Sequence, residues 1–367
     1  MGLRIALLHF CFTEYTVGLA NGLANHADVT VIQPDRIAAD CGDRFDPRVK
    51  VLRFTKPRIR DLRNLGAMRA MLRLVREVNP NVLHVQETND YWYDLTLLLN
   101  RMPPLVTTIH DVFRHPGDRD NVVGSEYTRR IAFYRSQRLI VHAQCLKDAL
   151  VQQFRLPESR VGVVPHGELG FFFRRSPTPT VARDPATVLF FGRIWPYKGL
   201  QYLVNAIPLV AEQVPEVQLV IAGRGQPAEL YLVNQSERSR FQVLNEFIPH
   251  EQVAQLFERS TITVLPYVES SQSGVAAIAF ALGSPVIASN IGGLSELIHS
   301  EQDGVLVPPR DTAALATAIT RLLHDRPLQE RLRTNAQIRC QTDLNWDTIA
   351  QLTIPIYEEA MAEYHKS

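Results

Sequence analysis

"FFGRIWPYKGL" (Phe190–Leu200) is the stretch that decides how this chain is read. Phe190 and Phe191 close an apolar run that starts near 187, Gly192 breaks it, and Arg193 and Lys198 stand on the short link to the next helical pattern. Strand, glycine turn and helix in that order describe one unit of a parallel α/β sheet. In such sheets ligands bind at the carboxyl ends of strands, where helix N-termini offer unpaired N–H groups and a positive dipole end. Two permanent cations on that link point to an anionic ligand. The alternative, on these residues alone, is an ordinary turn with two solvated cations.

Outward from this stretch the same alternation fills the chain. Apolar runs at 187–192, 218–222, 240–248, 261–265, 285–289 and 304–307 predict strands, with helices near 199–213, 250–259, 274–282 and 312–324. The first half repeats the pattern, with strands at 3–10, 28–33, 49–54, 81–86, 105–110, 138–142 and 161–164 and helices such as 18–26 and 65–78. Fully apolar runs such as "LVTTI" and "VTVI" suit strands buried on both faces, the mark of a parallel sheet under helices. Between the halves, "RRSPTPTVARDPAT" (174–187) is rich in Pro, Thr and charge and has no apolar period, so it reads as a linker. The expected organisation is a Rossmann-like domain over 1–173, the linker 174–187, a second Rossmann-like domain over 188–345, and a terminal helix over 346–367 with Trp346 and Tyr357 as anchors.

The totals agree. A chain of 367 residues fits two domains of roughly 150–200 residues, and 46% hydrophobic content supplies their cores. A net charge of +1 gives no general attraction to nucleic acid. The four cysteines, Cys11, Cys41, Cys145 and Cys340, form no CxxC pair, so they read as thiols of a reducing cytoplasm, not as a disulfide framework or zinc site. The opening "MGLRIALLHF" is too short in apolar residues for a signal peptide or a membrane span and reads as a first buried strand.

Two further stretches share the chemistry of the first. In "LVIAGRGQP" (219–227), Gly223 and Gly225 let backbone approach a ligand closely and Arg224 adds charge. It is not the dinucleotide fingerprint, since position 228 is Ala and no acid follows a clear next strand. In "VLPYVESSQSGVAAIAFALGSPVIAS" (264–289) a strand ends at Pro266, a hydroxyl-rich loop carries Glu269, and Ser273-Gly274 opens a helix of small residues. A helix start without large side chains lets backbone amides reach a sugar or phosphate, and equally lets two helices pack closely.

Taken in order, "GRIWPYKG", "AGRG" and "PYVES…SG…GSPV" resemble the donor domain of the large retaining, nucleotide-sugar-dependent glycosyltransferase family (family 4-like, group 1) with the two-domain GT-B fold. "VVPHGEL" (163–169) resembles the turn that closes the family's first domain, "TIHDV" (108–112) the strand end whose histidine faces the reacting centre, and "NEFIPHEQVAQLFERS" (245–260) the segment whose backbone contacts the base. The resemblance implies that Arg193 and Lys198 neutralise the donor diphosphate and that Gly192, Gly223, Arg224, Ile248, Ser273, Gly274 and Val275 line the donor site. It assigns Glu269 to the sugar's surroundings and His110 to the donor sugar or the departure of the leaving group. No metal and no cofactor beyond the nucleotide sugar is expected.

The chain departs from the family pattern twice. The family carries a second Glu that holds the ribose hydroxyls, yet no acid occurs between Glu269 and Glu296, and Ala277 and Ile278 stand where it is sought. The family also has a Gly-Gly pair after its first strand, beside donor phosphates and acceptor. Here "HFCFTEYTVG" (9–18) has only Gly18, a donor-side candidate, with Tyr15 and Thr16 as acceptor-side candidates; the alternative is that all three are simply the cap of the first helix.

Two charged segments complete the reading. "GDRD" (117–120) contains Asp-x-Asp but follows "FRHP", not an apolar strand, so a solvated loop is expected in place of a metal site. Residues 53–76 carry Arg53, Lys56, Arg58, Arg60, Arg63, Arg69, Arg73 and Arg76 against the single acid Asp61, with Leu65, Met68, Leu72 and Val75 as one helical stripe. That fits a core-packed helix with a solvated basic face, or peripheral contact with anionic lipid. The functional expectation is transfer of a hexose-type sugar from a nucleoside diphosphate sugar to a glycan, lipid-linked or small-molecule acceptor, with retention. The rivals are a nucleotide-sugar epimerase on the same fold and a non-catalytic binding relative.

Overall fold

The computed structural model describes residues 2–41, 43–88, 90–112, 126–173, 183–233 and 236–366. "GDRD" and most of the expected linker lie outside them. The chain divides into two units. The first holds the described residues up to Val112, residues 126–167 and the terminal segment from Leu344; the second runs from Glu168 to Asp343.

The first unit is built on seven strands: β1 (Arg4–Leu8), β2 (Asp28–Pro34), β3 (Lys50–Phe54), β4 (Val82–Gln86), β5 (Leu105–Thr108), β6 (Arg138–Val141) and β7 (Val161–Val163). They lie in the order β3-β2-β1-β4-β5-β6-β7, every pair parallel. The second unit has β8 (Thr187–Phe191), β9 (Gln218–Ala222), β10 (Phe241–Leu244), β11 (Ile262–Leu265), β12 (Val286–Ser289) and β13 (Val305–Val307), ordered β10-β9-β8-β11-β12-β13 and again all parallel. β1, β4, β8 and β11 are buried along nearly their whole length, as continuous apolar runs under helices require. The strand order reverses between β1 and β4 in one sheet and between β8 and β11 in the other. Those reversals open a crevice at the carboxyl edge of each sheet.

Several boundaries differ from the sequence expectation, each for a local reason. The strand expected over 240–248 stops at Leu244 because the Asn245 side chain turns the chain toward the β9 loop, accepting from Gly225 N at 3.3 Å and donating to Gln226 O at 3.0 Å. Residues 168–173, expected in the first domain, belong with the second. The Gly170–Phe173 helix packs there, with Phe172 and Phe173 edge-on to the His250 ring at 5.1 and 5.5 Å. The first helix runs Thr13–Leu23, well ahead of the expected 18–26, because Phe12 takes up a left-handed backbone (φ 60°, ψ 47°) that starts it early.

The terminal helix, Trp346–Tyr364, packs on the first helix. A Cβ on Gly18 would overlap the Trp346 indole and one on Gly22 the Trp346 carbonyl, so the two glycines make the groove that the indole fills. Further along, the Tyr357 hydroxyl meets His84 Nδ1 at 2.6 Å inside the unit, and Arg138 pairs with Glu359 and Glu363.

The basic segment is less uniform than its composition suggests. The helix Asn64–Val78 buries Ala67, Met68, Met71, Leu72 and Val75, whereas Leu65, assigned to the apolar stripe, is 52% exposed. Lys56 is not on a solvated face at all. Its Nζ lies 2.6 Å from Asp90 Oδ2 and 2.8 Å from Asn64 Oδ1, with both charged side chains buried. Asp90 also caps the helix Tyr91–Leu99 by accepting from Trp92 N and Tyr93 N. Lys56→Met would strand a buried carboxylate and is expected to cost about 3–5 kcal/mol. Urea midpoints of Lys56→Met and of Lys56→Met/Asp90→Asn measure this: the double variant should recover part of the loss, and a single-variant loss under about 1 kcal/mol would contradict the buried pairing.

Candidate functional site

In the second unit, the three expected elements come together at the carboxyl edge of β8, β9 and β11. Gly192 follows β8 with φ 119° and Gly223 follows β9 with φ 139°, and a Cβ on Gly223 would overlap the Gly192 carbonyl. Only glycine lets these two backbones meet at that φ. The extensions beyond them stay paired, with Ile194 N donating to Arg224 O at 3.1 Å and Gln226 N to Ile194 O at 2.9 Å. Val275, in the first turn of the helix Gly274–Ala281, reaches to 3.5 Å from where a Cβ on Gly192 would stand. Ser273 caps that helix, its Oγ accepting from Ala276 N at 3.3 Å.

Around this floor stand the cations. Arg193 and Arg224 are exposed, and Lys198 is half-buried at the end of the short turn Pro196–Lys198. The Lys198 ammonium lies 3.8 Å from the centre of the buried Tyr267 ring and 4.9 Å from that of Tyr197. The rings hold it by cation–π attraction and restrict where it can point. Gly199, with φ 68°, brings this turn against the Pro266 carbonyl with no room for a Cβ. Thus the GRIWPYKG turn and the loop after β11 meet across the reversal of strand order. Tyr267 was quoted in the sequence but given no role; an aromatic residue directly after Pro266 was the available signal.

The remaining donor-side candidates divide. Glu269 is exposed on the loop after β11, and Ile248 is buried just ahead of the helix His250–Arg259. Ala277 and Ile278, where a second acid was sought, are 1% and 6% exposed. Both face packed interior, where a lone carboxylate would be costly.

The carboxyl edge of the first sheet holds a different kind of cluster. His110, two residues past β5, is fully buried, with Phe12 stacked on its ring at 3.7 Å and 16°. Its Nε2 lies 2.9 Å from the Gln86 side-chain amide and its Nδ1 3.3 Å from His142 Nε2. His142 Nδ1 in turn lies 2.9 Å from the Val164 carbonyl, and His166 Nδ1 2.7 Å from the Gly167 carbonyl. Burial pushes the imidazoles down, His84 and His142 to about 3 and His166 to about 4, and holds His110 well below its usual value. All four are therefore neutral at pH 7. Below them Glu87 is buried, accepting from Arg129 Nε at 2.6 Å and from the His110 backbone N–H at 3.2 Å, which ties the His110 backbone to β4.

This placement corrects three acceptor- and donor-side expectations. Tyr15 is 2% exposed, its ring about 5 Å from those of His110, His142, His166 and Trp346. Thr16 is fully buried and donates to Phe12 O at 2.9 Å. Gly18 makes room for Trp346. All three serve the packing of the first helix, because the polar "TEYT" stretch is helix and not loop. In the sequence His110 alone was singled out; only the β5-β6-β7 register brings His142 and His166 beside it.

Comparison with known proteins accords with both halves. The glycosyl transferase 4-like family matches residues 4–143, and the glycosyl transferases group 1 family matches residues 185–325. An uncharacterized glycosyltransferase of Methanocaldococcus jannaschii is 29% identical over 301 residues, covering 77% of this chain and 76% of the relative. Glycogen synthase of Mycobacterium tuberculosis is 29% identical over 293 residues, covering 77% and 69%. Among solved structures, sucrose-phosphate synthase of Thermosynechococcus elongatus superposes with a TM-score of 0.72 at 22% identity, covering 98% of this chain and 100% of that one. HepE of Anabaena with UDP-glucose superposes with a TM-score of 0.72 at 18% identity, covering 99% of each. Two parallel-sheet units, one matched by the glycosyl transferase 4-like family and the other by the glycosyl transferases group 1 family, make this chain a group 1 glycosyltransferase of the GT-B fold.

Proposed function

We propose that this glycosyltransferase takes a hexose-type sugar from a nucleoside diphosphate sugar and transfers it, with retention of configuration and without a metal, to an acceptor in the cytoplasm. The observation that carries the reading is the strand-end floor of Gly192 and Gly223 with Arg193 and Lys198 on the same edge. A diphosphate needs close backbone approach and fixed positive charge together. HepE, whose fold this chain shares, is described in complexes with UDP and with UDP-glucose, which supports a nucleotide-sugar donor.

In this reading the reaction is limited by departure of the nucleoside diphosphate. As the glycosidic bond stretches, negative charge builds on the β-phosphate. The Arg193 guanidinium can meet two phosphate oxygens at once, and Lys198 adds a point charge already aimed by Tyr267 and Tyr197. Fixed charges of this kind stabilise the transition state without reorganising. Retention is taken from the resemblance of the donor-domain motifs to the retaining family.

The test is a panel of UDP-, GDP-, ADP- and dTDP-sugars, scored for binding and for slow hydrolysis with and without EDTA. One donor should bind saturably and be hydrolysed slowly, with EDTA making no difference. If none binds or turns over, the non-catalytic reading suggested by the buried Ala277 and Ile278 takes its place. Loss of turnover in EDTA would remove the metal-independent part.

A further inference from the structure

The buried histidines of the first sheet form a chain with one consistent direction. Val164 offers His142 only a carbonyl, 2.9 Å from Nδ1, so Nδ1 carries the proton. A neutral imidazole has one proton, so His142 Nε2 is a bare lone pair, and the group 3.3 Å away, His110 Nδ1, must donate to it. His110 Nε2 is then also bare and requires a donor from Gln86, 2.9 Å away. Either end of a side-chain amide can face a partner. With its oxygen toward His110, the Gln86 NH2 group is buried and has no hydrogen-bond partner among the described residues. A half-turn of the amide satisfies both groups at once. Phe12, stacked on one face of His110, and Tyr15, edge-on at 5.0 Å, oppose rotation of the ring.

We infer that His142 is a positioning residue that holds His110 as its Nδ1–H tautomer, leaving His110 Nε2 a hydrogen-bond acceptor. The consequence for the transfer reaction rests on the function proposed above. A His110 held this way has no proton to give a departing phosphate. Toward a sugar it accepts from a hydroxyl, in place of the Gln86 amide.

The test is a long-range proton–nitrogen spectrum of the full chain labelled with nitrogen-15 in histidine, at pH 7, with His110 assigned by its loss in His110→Gln. The wild type should show a pyrrole-type Nδ1 and a pyridine-type Nε2 at His110. His142→Gln, whose side-chain oxygen can take the acceptor's place, should keep that pattern, and His142→Leu should shift His110 toward the Nε2–H form. With a donor found in the panel, His142→Leu should lower the kcat of hydrolysis about tenfold or more at unchanged KM, and His142→Gln should recover most of it. A wild-type His110 protonated at Nε2, or at both nitrogens, overturns the inference, and that spectrum decides even if the leucine variant does not fold. An unchanged tautomer in a folded His142→Leu overturns it too. If the tautomer is as inferred but no nucleotide sugar is turned over, the transfer reading fails and the tautomer assignment stands.

Discussion

Lys198→Ala should lower kcat/KM for the donor by about 10²–10³-fold, with most of the loss in kcat, and Arg193→Ala should lose a comparable factor. The expectation follows from when each charge is needed. The ground-state donor already carries a diphosphate, so part of each contact is uniform binding and appears in KM. The extra charge that builds as the leaving group departs is met only in the transition state, and that part appears in kcat. Lys198 is positioned by two rings, at 3.8 and 4.9 Å, and so has little reorganisation left to do. Tyr267→Leu should therefore lose part of the Lys198 effect although it removes no charge. Folding should be little affected by Lys198→Ala, since the side chain is half-buried and bears on the exposed edge. Steady-state kinetics and isothermal titration with the nucleoside diphosphate separate the two parts. Unchanged diphosphate affinity and unchanged kcat in both alanine variants would remove the diphosphate assignment.

The second large effect is on stability in acid. His84, His142 and His166 have folded pKa values of about 3, 3 and 4, against about 6.5 in the unfolded chain. As pH falls through 6.5 the unfolded chain binds protons that the folded chain refuses, so their contribution is fully present above 6.5 and is lost on the way down. At pH 4.5 the three together cost about 8 kcal/mol. His9 and His110, also held low by burial, act in the same direction. Asp94 acts in the opposite one. Burial lifts its carboxyl to about 7, so the folded state keeps a proton that the unfolded state has released, and stability rises as pH falls from 7 toward 4. That returns about 3 kcal/mol, leaving a net loss of about 5 kcal/mol on a scale where whole domains have 5–15. Urea midpoints followed by circular dichroism from pH 7 to 4.5 should fall steeply, and His142→Gln should make the fall shallower by about one proton. A midpoint that stays level to pH 4.5 would show that these rings are charged or solvated in the fold.

Most of the architecture was legible because a parallel strand buried on both faces leaves an unmistakable apolar run. Each predicted strand has a counterpart, and the ends shift by a few residues at most. The donor-side turn was legible for a related reason: glycine, Arg and Lys at a strand end have few other uses. What the sequence concealed depends on partners distant along the chain. Lys56 looked like one of eight basic residues until Asp90 was found against it. The start of the first helix was hidden by its polar residues and by Phe12, a residue that rarely takes the left-handed backbone found there. The histidine chain needed three adjacent strands to be in register before its members could meet.

The indole of Trp346 in the groove of Gly18 and Gly22 has a consequence for the order in which the polypeptide matures on the ribosome. The second unit has its whole sequence once Asp343 is made. The first unit, begun earlier, still lacks the side chain that fills its glycine groove and the phenol that satisfies His84 until translation has passed Tyr357. The half synthesised first is thus the last to be completed, and its nascent form exposes an apolar channel for as long as the rest of the chain takes to emerge.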